Sequence, residues 1–201
     1  MRSDASTIDI IPLAPAQVDA AARLFARAFV TNPLHIAAFG AAQPAANEAF
    51  FRSALAAMRG PKFAVMDGTR MVGALHWVRS PGCRFSPLEK LRMMPGLMRR
   101  LGARSALRVG SWLSAWAKLD PGEPHLHLGP IGVEPEAQGR GIGRRMMDCY
   151  CRALDEAGVV GYLETDRPSN VEFYRRFGFE VIATAPVLGV PNYFMRRAVS
   201  A

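Results

Sequence analysis

The sequence predicts a mixed α/β domain, and three features carry that expectation. Residues 16–30 place Val18, Ala21, Ala22, Phe25 and Phe29 on one helical stripe. Residues 62–66 and 71–78 are two β-prone runs around the turn Asp67-Gly68-Thr69, which reads as an antiparallel hairpin. The second half alternates strand, helix, strand, helix and strand. With 201 residues, the chain is long enough to bury a proper core in one domain.

Residues 8–13 form a short β-prone run ended by Pro12 and Pro15, and the helix of 16–30 stops at Asn32-Pro33. A second helix is expected over 47–58, ending at Gly60-Pro61. After the hairpin, residues 87–116 read as two or three short helices broken by Pro95-Gly96 and by Gly102. Leu88, Leu91, Met94, Leu97, Met98 and Leu101 recur there at helical spacing with arginines between them. Residues 125–133 are a strand that contains Pro130. Proline lacks the N–H of a sheet ladder, so it marks a bulge or an edge. A glycine-rich turn over 138–143 leads into a helix marked by Ile142, Met146, Met147, Tyr150, Ala153, Leu154 and Ala157, stopped by Gly158. Residues 159–165 are a strand and 166–170 a turn. A short helix follows, with Ser169 and Glu172 spaced as a capping box. Residues 179–183 and 193–197 are closing strands. The expected organisation is a single domain over 1–201 with a basic helical insertion at about 84–120.

Half of the residues are hydrophobic and 21% are charged, an ordinary globular balance. No uninterrupted apolar run reaches membrane-spanning length, and the first nine residues do not read as a secretory signal. Three cysteines are too few for a disulfide framework and point to a reducing cytoplasm. Cys149 and Cys151 point about 200° apart on a helix and read as packing residues. The formal charge is +8. Eight basic residues (Arg84, Lys90, Arg92, Arg99, Arg100, Arg104, Arg108 and Lys118) and a single acid, Glu89, lie between positions 84 and 118. That stretch alone accounts for nearly the whole excess and favours an anionic partner. Nucleic acid, a membrane surface and a polyphosphate cofactor all satisfy it. No nucleic-acid-binding motif or aromatic–basic alternation accompanies it, so neither a nucleic acid nor a membrane is expected as the main partner.

The chemistry concentrates at Gln138-Gly139-Arg140-Gly141-Ile142-Gly143, between a strand and a helix. Glycines let the backbone turn sharply and approach a ligand, and the amides at the helix start face outward along the positive end of the dipole. Arg140, Arg144 and Arg145 add charge, so a pyrophosphate is the natural guest. Three other readings compete. A dinucleotide turn would need a small residue where Arg144 stands. A Walker A loop would need a Gly-Lys-Ser/Thr that is absent. A turn without a ligand has little need for three glycines beside three arginines.

The same residues resemble the GNAT (GCN5-related N-acetyltransferase) family. The segment 138–143 matches its Q/R-x-x-G-x-G/A signature. Leu128-Gly129-Pro130-Ile131-Gly132-Val133 precedes it, as the family's fourth strand does. Tyr162-Leu163-Glu164-Thr165-Asp166 and Asn170-Val171-Glu172-Phe173-Tyr174 follow in the expected order. Residues 125–181 are similar to the branch containing the puromycin N-acetyltransferases. The resemblance implies an α/β (α+β) GNAT fold: a mixed central sheet splayed between its fourth and fifth strands and flanked by helices.

It also implies an acetyl-CoA-dependent N-acetyltransferase that acts by direct attack in a ternary complex on a small-molecule primary amine. A non-catalytic acetyl-CoA sensor and a protein or peptide N-acetyltransferase are the alternatives. The implied cofactor contacts are Ile131, Gly132, Val133, Gln138, Gly139, Arg140, Gly141, Ile142, Gly143, Arg144, Asn170 and Tyr174. Tyr174 would serve as general acid to the departing thiolate. His127 stands where part of the family carries a glutamate and is the candidate base. Glu164 is a further candidate base or substrate anchor. Phe29, His76, Trp112 and Glu164 are the candidate acceptor contacts, and Phe25, Phe39 and Trp116 extend an aromatic lining. His125 and His127 share a strand face, but no further His or Cys in the sequence pattern completes a metal set, so no metal is expected. The family implies a monomer or a homodimer.

Overall fold

A computed structural model describes residues 8–40 and 42–199. Among these, seven strands form one sheet in the order β1-β2-β3-β4-β5-β7-β6. β1 (Ile8–Pro12), β2 (Lys62–Asp67), β3 (Arg70–Arg79) and β4 (His125–Val133) pair antiparallel in succession. β5 (Val160–Thr165) joins β4 in parallel, and the hairpin β6 (Glu180–Val187) and β7 (Val190–Arg197) closes the sheet through β7. The parallel step is made by α6 (Ile142–Ala157), a crossover long enough to reverse direction between β4 and β5.

α6 buries Met146, Met147, Tyr150 and Leu154 on one sheet face, with Leu75, Leu126, Leu163, Phe179 and Met195. Cys149 and Cys151 pack at the edge of this core, half-buried and free. The second core lies on the other face. α1 (Val18–Ala28), α2 (Pro33–Phe39), α3 (Pro44–Ala57) and α5 (Ala103–Ala117) bring Phe25, Leu34, Phe51, Leu55 and Trp112 together there. The sheet thus carries a helix layer on each face, as its alternating pattern requires.

Four details depart from the sequence reading. α2 was not expected; Asn32-Pro33 starts this helix as well as ending the previous one. The Asn32 side chain accepts from the amides of Leu34 and His35 at 3.0 and 3.1 Å, and Pro33 takes the first helical position. α4 (Pro87–Leu101) runs unbroken through Pro95-Gly96, so the insertion is two helices divided at Gly102. The carbonyl that Pro95 leaves without its amide belongs to Leu91, which is 70% exposed and can turn to water. Ser169 does not cap α7 (Pro168–Arg175): Pro168 sets the first position, and Glu172 pairs with Arg175 at 2.7 Å. The capping box is at α4, between Ser86 and Glu89. The β6–β7 hairpin is longer than expected and turns through Leu188 and Gly189, both at positive φ.

His35 is buried inside a cage of Phe29, Phe39, Phe50, Phe51 and Trp112 and faces the Asn47 Oδ1 atom at 2.5 Å. Burial pushes its pKa down from 6.5 to about 4, and the same cause lowers His76 to about 4. A buried neutral imidazole contributes stability that is complete above the unfolded pKa and is lost as pH falls towards the folded one. For His35 that loss amounts to about 3 kcal/mol between pH 6.5 and 4. Urea unfolding across this window is expected to give a shallower stability slope for His35→Gln than for the wild type. Identical slopes would show that His35 does not titrate there.

Candidate active site

β4 and β5 are hydrogen-bonded only along His125–His127 and Val160–Tyr162, after which the two strands part. On its other side β4 carries a bulge. Leu75 faces Ile131 and Trp77 faces Leu128, so Gly129 and Pro130 together oppose His76. The expected proline irregularity therefore lies where the strands separate. A side chain at position 129 is excluded, because a Cβ there would lie 2.4 Å from the His76 Nδ1 atom. His76 Nε2 donates to the Arg59 carbonyl at 2.5 Å, which leaves Nδ1 as its neutral acceptor.

One crevice opens from the parting strands over the start of α6. Ile131, Gly132 and Val133 form its floor, and Gln138, Gly139, Gly141, Ile142, Gly143 and Arg144 its rim. Gly139 and Gly141 both have φ 78°, a conformation that a side chain would strain. Gly141 caps α6 with no side chain, so the first-turn amides face the crevice without the acceptor that a Ser or Asp would supply. Gln138 Nε2 donates to the Val133 carbonyl at 3.3 Å and folds the loop back onto the strand end. Arg140 departs from expectation at its side chain, which turns to Asp67 at 2.8 Å; its backbone remains in the loop. Gly132 allows α1 to close the crevice, since a Cβ there would meet Phe25 Cδ1 at 2.9 Å.

A second cavity adjoins the crevice at the separation. Phe29, His76, Trp112 and Trp116 line it, together with Phe50, Phe51 and Phe85, which the sequence did not single out. Phe25 is instead a core residue, and Phe39 packs behind against His35 and Phe50. The crevice and the cavity share Phe29, Asn32, Ile131, Asn170 and Tyr174. Tyr174 is 6% exposed, and burial, helped by Asp166, raises its pKa well above the usual tyrosine value. Its hydroxyl is therefore protonated at neutral pH. Asn170 Nδ2 donates to Thr165 Oγ1 at 3.2 Å.

Glu164 sits in the cavity wall with its side chain 2% exposed. One oxygen, Oε2, is 2.8 Å from His127 Nε2; the other, Oε1, is buried with no hydrogen-bond partner among the described residues. His127 Nδ1 lies 3.5 Å from the Asp120 Oδ1 atom. Burial opposes a charge on His127, but Glu164 and Asp120 outweigh it and raise its pKa well above the ordinary value. Both of its ring nitrogens thus face carboxylates. Asp120, a residue the sequence reading passed over, is held by Arg84 through its Oδ2 atom and backbone carbonyl.

Comparison with known proteins agrees with this fold. Residues 108–181 match the family model described as acetyltransferase (GNAT) domain. The structure aligns with TM-score 0.75 and 20% identity to a Corynebacterium glutamicum protein described as histone acetyltransferase HPA2 and related acetyltransferase, covering 97% of this chain and 98% of that one. The chain has the GNAT fold, and its residues 108–181 are similar to the GNAT acetyltransferase domain.

Two curated relatives match the GNAT half. The N-alpha-acetyltransferase RimI of Mycobacterium tuberculosis is 38% identical over 106 residues, 48% of this chain and 64% of the relative. The mycothiol acetyltransferase of Saccharomonospora viridis is 33% identical over 79 residues, 34% of this chain and 26% of the relative. The chain therefore spans between a quarter and two thirds of these relatives' lengths. Among the described residues no helix is long and apolar enough to cross a membrane.

Asn32 ties α2 to the end of β5 beside the cavity. Besides capping α2, its Nδ2 donates to Asp166 Oδ1 at 2.8 Å, while Asp166 Oδ2 accepts from the Leu34 amide at 2.7 Å. Asn32→Ala is expected to cost about 2–3 kcal/mol in urea unfolding, because it removes a cap and strands a buried carboxylate oxygen. A loss below about 0.5 kcal/mol would show that water replaces both bonds.

Proposed function

We propose that this chain is an acetyl-CoA-dependent N-acetyltransferase whose acceptor is a small primary amine with an apolar or aromatic body. The observation that carries the proposal is the meeting of two spaces at Tyr174, Asn170 and Ile131: an amide-lined crevice and an aromatic cavity. The crevice suits a pyrophosphate at the amides of α6 and Arg144. It also suits an extended amide-bearing arm along the unpaired edge of Ile131, Gly132 and Val133. Acetyl-CoA has both parts and supplies the activated acyl group. Among alternatives, a dinucleotide fold is at odds with the sheet order, which has one parallel pair.

Each residue has a role set by its place. Tyr174 is the proton donor to the departing sulfur, since its buried hydroxyl stays protonated and lies where the two spaces join. Glu164 Oε1 is the free acceptor in the cavity wall and receives an N–H of the incoming amine; His127 holds its other oxygen. The base expected at His127 is reassigned accordingly: His127 positions the carboxylate that meets the amine. In the step itself the amine lone pair attacks the acyl carbon, the carbon–sulfur bond breaks, and the sulfur takes the Tyr174 proton. The amine proton leaves through Glu164 and restores the tyrosine.

The aromatic lining of Phe29, Phe50, Phe51, Phe85, Trp112 and Trp116 favours a compact apolar acceptor. The resemblance of residues 125–181 to the puromycin N-acetyltransferase branch fits an acceptor of that shape. The similarity to RimI supports a second reading, in which the amine is a peptide N-terminus. An acceptor screen pairing arylalkylamines with short peptides separates the two, and turnover confined to peptides would reverse the order of preference.

Tyr174→Phe is expected to cut kcat at least about tenfold while acetyl-CoA binding persists. Near-normal turnover would remove Tyr174 from the chemistry. Saturating acetyl-CoA should raise the melting temperature by roughly 5–10 °C at about a hundred times its dissociation constant, with less effect from dephospho-CoA. No shift at millimolar acetyl-CoA would defeat the proposal.

A further inference from the structure

Cys83, Asp120, His125 and His127 come from three separate places in the chain, and the fold brings one donor atom of each within 4.8 Å of the other three. Cys83 lies between β3 and α4, Asp120 between α5 and β4, and the two histidines alternate along β4, which puts both on one face. His125 Nε2 is 3.1 Å from Asp120 Oδ1, and His127 Nδ1 is 3.5 Å from the same oxygen. Cys83 Sγ is 3.7 Å from both His125 Nε2 and Asp120 Oδ1. A zinc ion bound at about 2.0–2.1 Å to nitrogen and oxygen and about 2.3 Å to sulfur needs tetrahedron edges of roughly 3.3–3.6 Å. Four of the six edges, at 3.1–3.7 Å, come within a few tenths of an ångström of that size, and the other two are no longer than 4.8 Å.

The outward contacts point the same way. His125 Nδ1 is 2.8 Å from the Glu123 carbonyl, and His127 Nε2 is 2.8 Å from Glu164. Both of those partners are acceptors only, so each imidazole carries a proton on its far nitrogen. The near nitrogens converge on the Asp120 carboxylate and the Cys83 sulfur, where a bound cation would take the place of the ring protons directed at them. A carboxylate and a thiol facing two imidazoles this closely, with His125 fully buried and Asp120 4% exposed at its side chain, suit a positive charge at their centre. His127 Nδ1 has no hydrogen-bond partner among the described residues. A backbone carbonyl behind one histidine, a carboxylate behind the other and Arg84 behind Asp120 are the outer contacts that orient metal ligands.

We propose that Cys83, Asp120, His125 and His127 form a tetrahedral site for a divalent metal of the zinc type, which fastens both ends of the α4–α5 insertion to β4. One thiolate, one carboxylate and two neutral imidazoles balance a dication and select a borderline-soft ion over magnesium or calcium. The thiol releases its proton on binding. All four positions are filled by protein, so the role is structural: the ion sets the wall of the acceptor cavity, where Cys83 and His127 both appear, and through His127 it orients Glu164. The site does not depend on the acetyl-transfer reading, because metal content is measured in the folded chain without substrate.

Tag-free protein is stripped with a strong chelator, reloaded with Zn²⁺, desalted and assayed for metal by mass spectrometry. About one equivalent is expected in the wild type, with at least about tenfold less in Cys83→Ser and Asp120→Asn. Reloading should raise the melting temperature of the wild type and leave those of the variants unchanged. Co²⁺ should give a thiolate charge-transfer band that Cys83→Ser abolishes. A folded wild type that retains below about a tenth of an equivalent, or variants that retain as much as the wild type, would overturn the proposal. Should a variant fail to give a native circular dichroism spectrum, the cobalt spectrum of the wild type decides: a thiolate band supports the site and its absence overturns it.

Discussion

Three residue pairs hold β4 to β5, and the parting of the strands after the third creates the whole site. A sheet that opens in its middle exposes amides and carbonyls that would otherwise be paired, at a cost comparable to lost hydrogen bonds. The molecule keeps the gap open with rigid devices on either side. Pro130 and the bulge opposite His76 prevent β4 from continuing a regular ladder. The loop of 138–141 and the start of α6 occupy the far end of β4. The unpaired strand edge thus faces a crevice that the glycine turn supplies with further amides.

The same opening explains where the buried polar groups lie. Glu164 and Thr165 end β5 just past the last pair, Asp166 follows it, and all three line the cavity beside the separated strands. Asp166 is taken up by Asn32 and α2, and Thr165 by Asn170. Glu164 is taken up by His127 on only one of its oxygens. Burial makes such half-satisfied groups costly in the free protein, and that cost is recovered when a ligand donates to them. The two apolar clusters lie on the two faces of the sheet, one under α6 and one under α1, α3 and α5. The polar residues are therefore held between two well-packed bodies.

The basic insertion reads differently once folded. In the sequence it is a stretch of arginines with one acid. In the structure the ends of that stretch are tied down: Arg84 to Asp120, and Arg59 to Glu89 at the start of α4. Trp116 Nε1 donates to the buried Asn192 at 3.0 Å and joins α5 to β7. The charge that suggested an anionic partner belongs in part to a scaffold for the cavity wall. Leu88, Leu91 and Leu107 remain exposed along the insertion, which is why its hydrophobic spacing predicted helices without predicting where they pack.

Local signals were sufficient for the elements whose geometry a few neighbouring residues impose. The turn of 138–143, the stop at Gly158, the hairpin at Asp67-Gly68 and the bulge at Pro130 all follow from backbone freedom or its absence, which is a property of the residue itself. The α/β class followed from periodicity for the same reason. What the chain could not announce was which distant groups meet. Cys83, Asp120 and the two histidines are separated by up to 44 positions, and Asn32 and Asp166 by 134. The α7 cap was misread because Ser169 and Glu172 have the right spacing, and spacing does not reveal that Pro168 already begins the helix. Glycine and proline act on their own φ angles and so declare themselves in the sequence. A carboxylate or an imidazole takes its role from the charge, burial and hydrogen-bond partners that only the closed sheet and its two helix layers place around it.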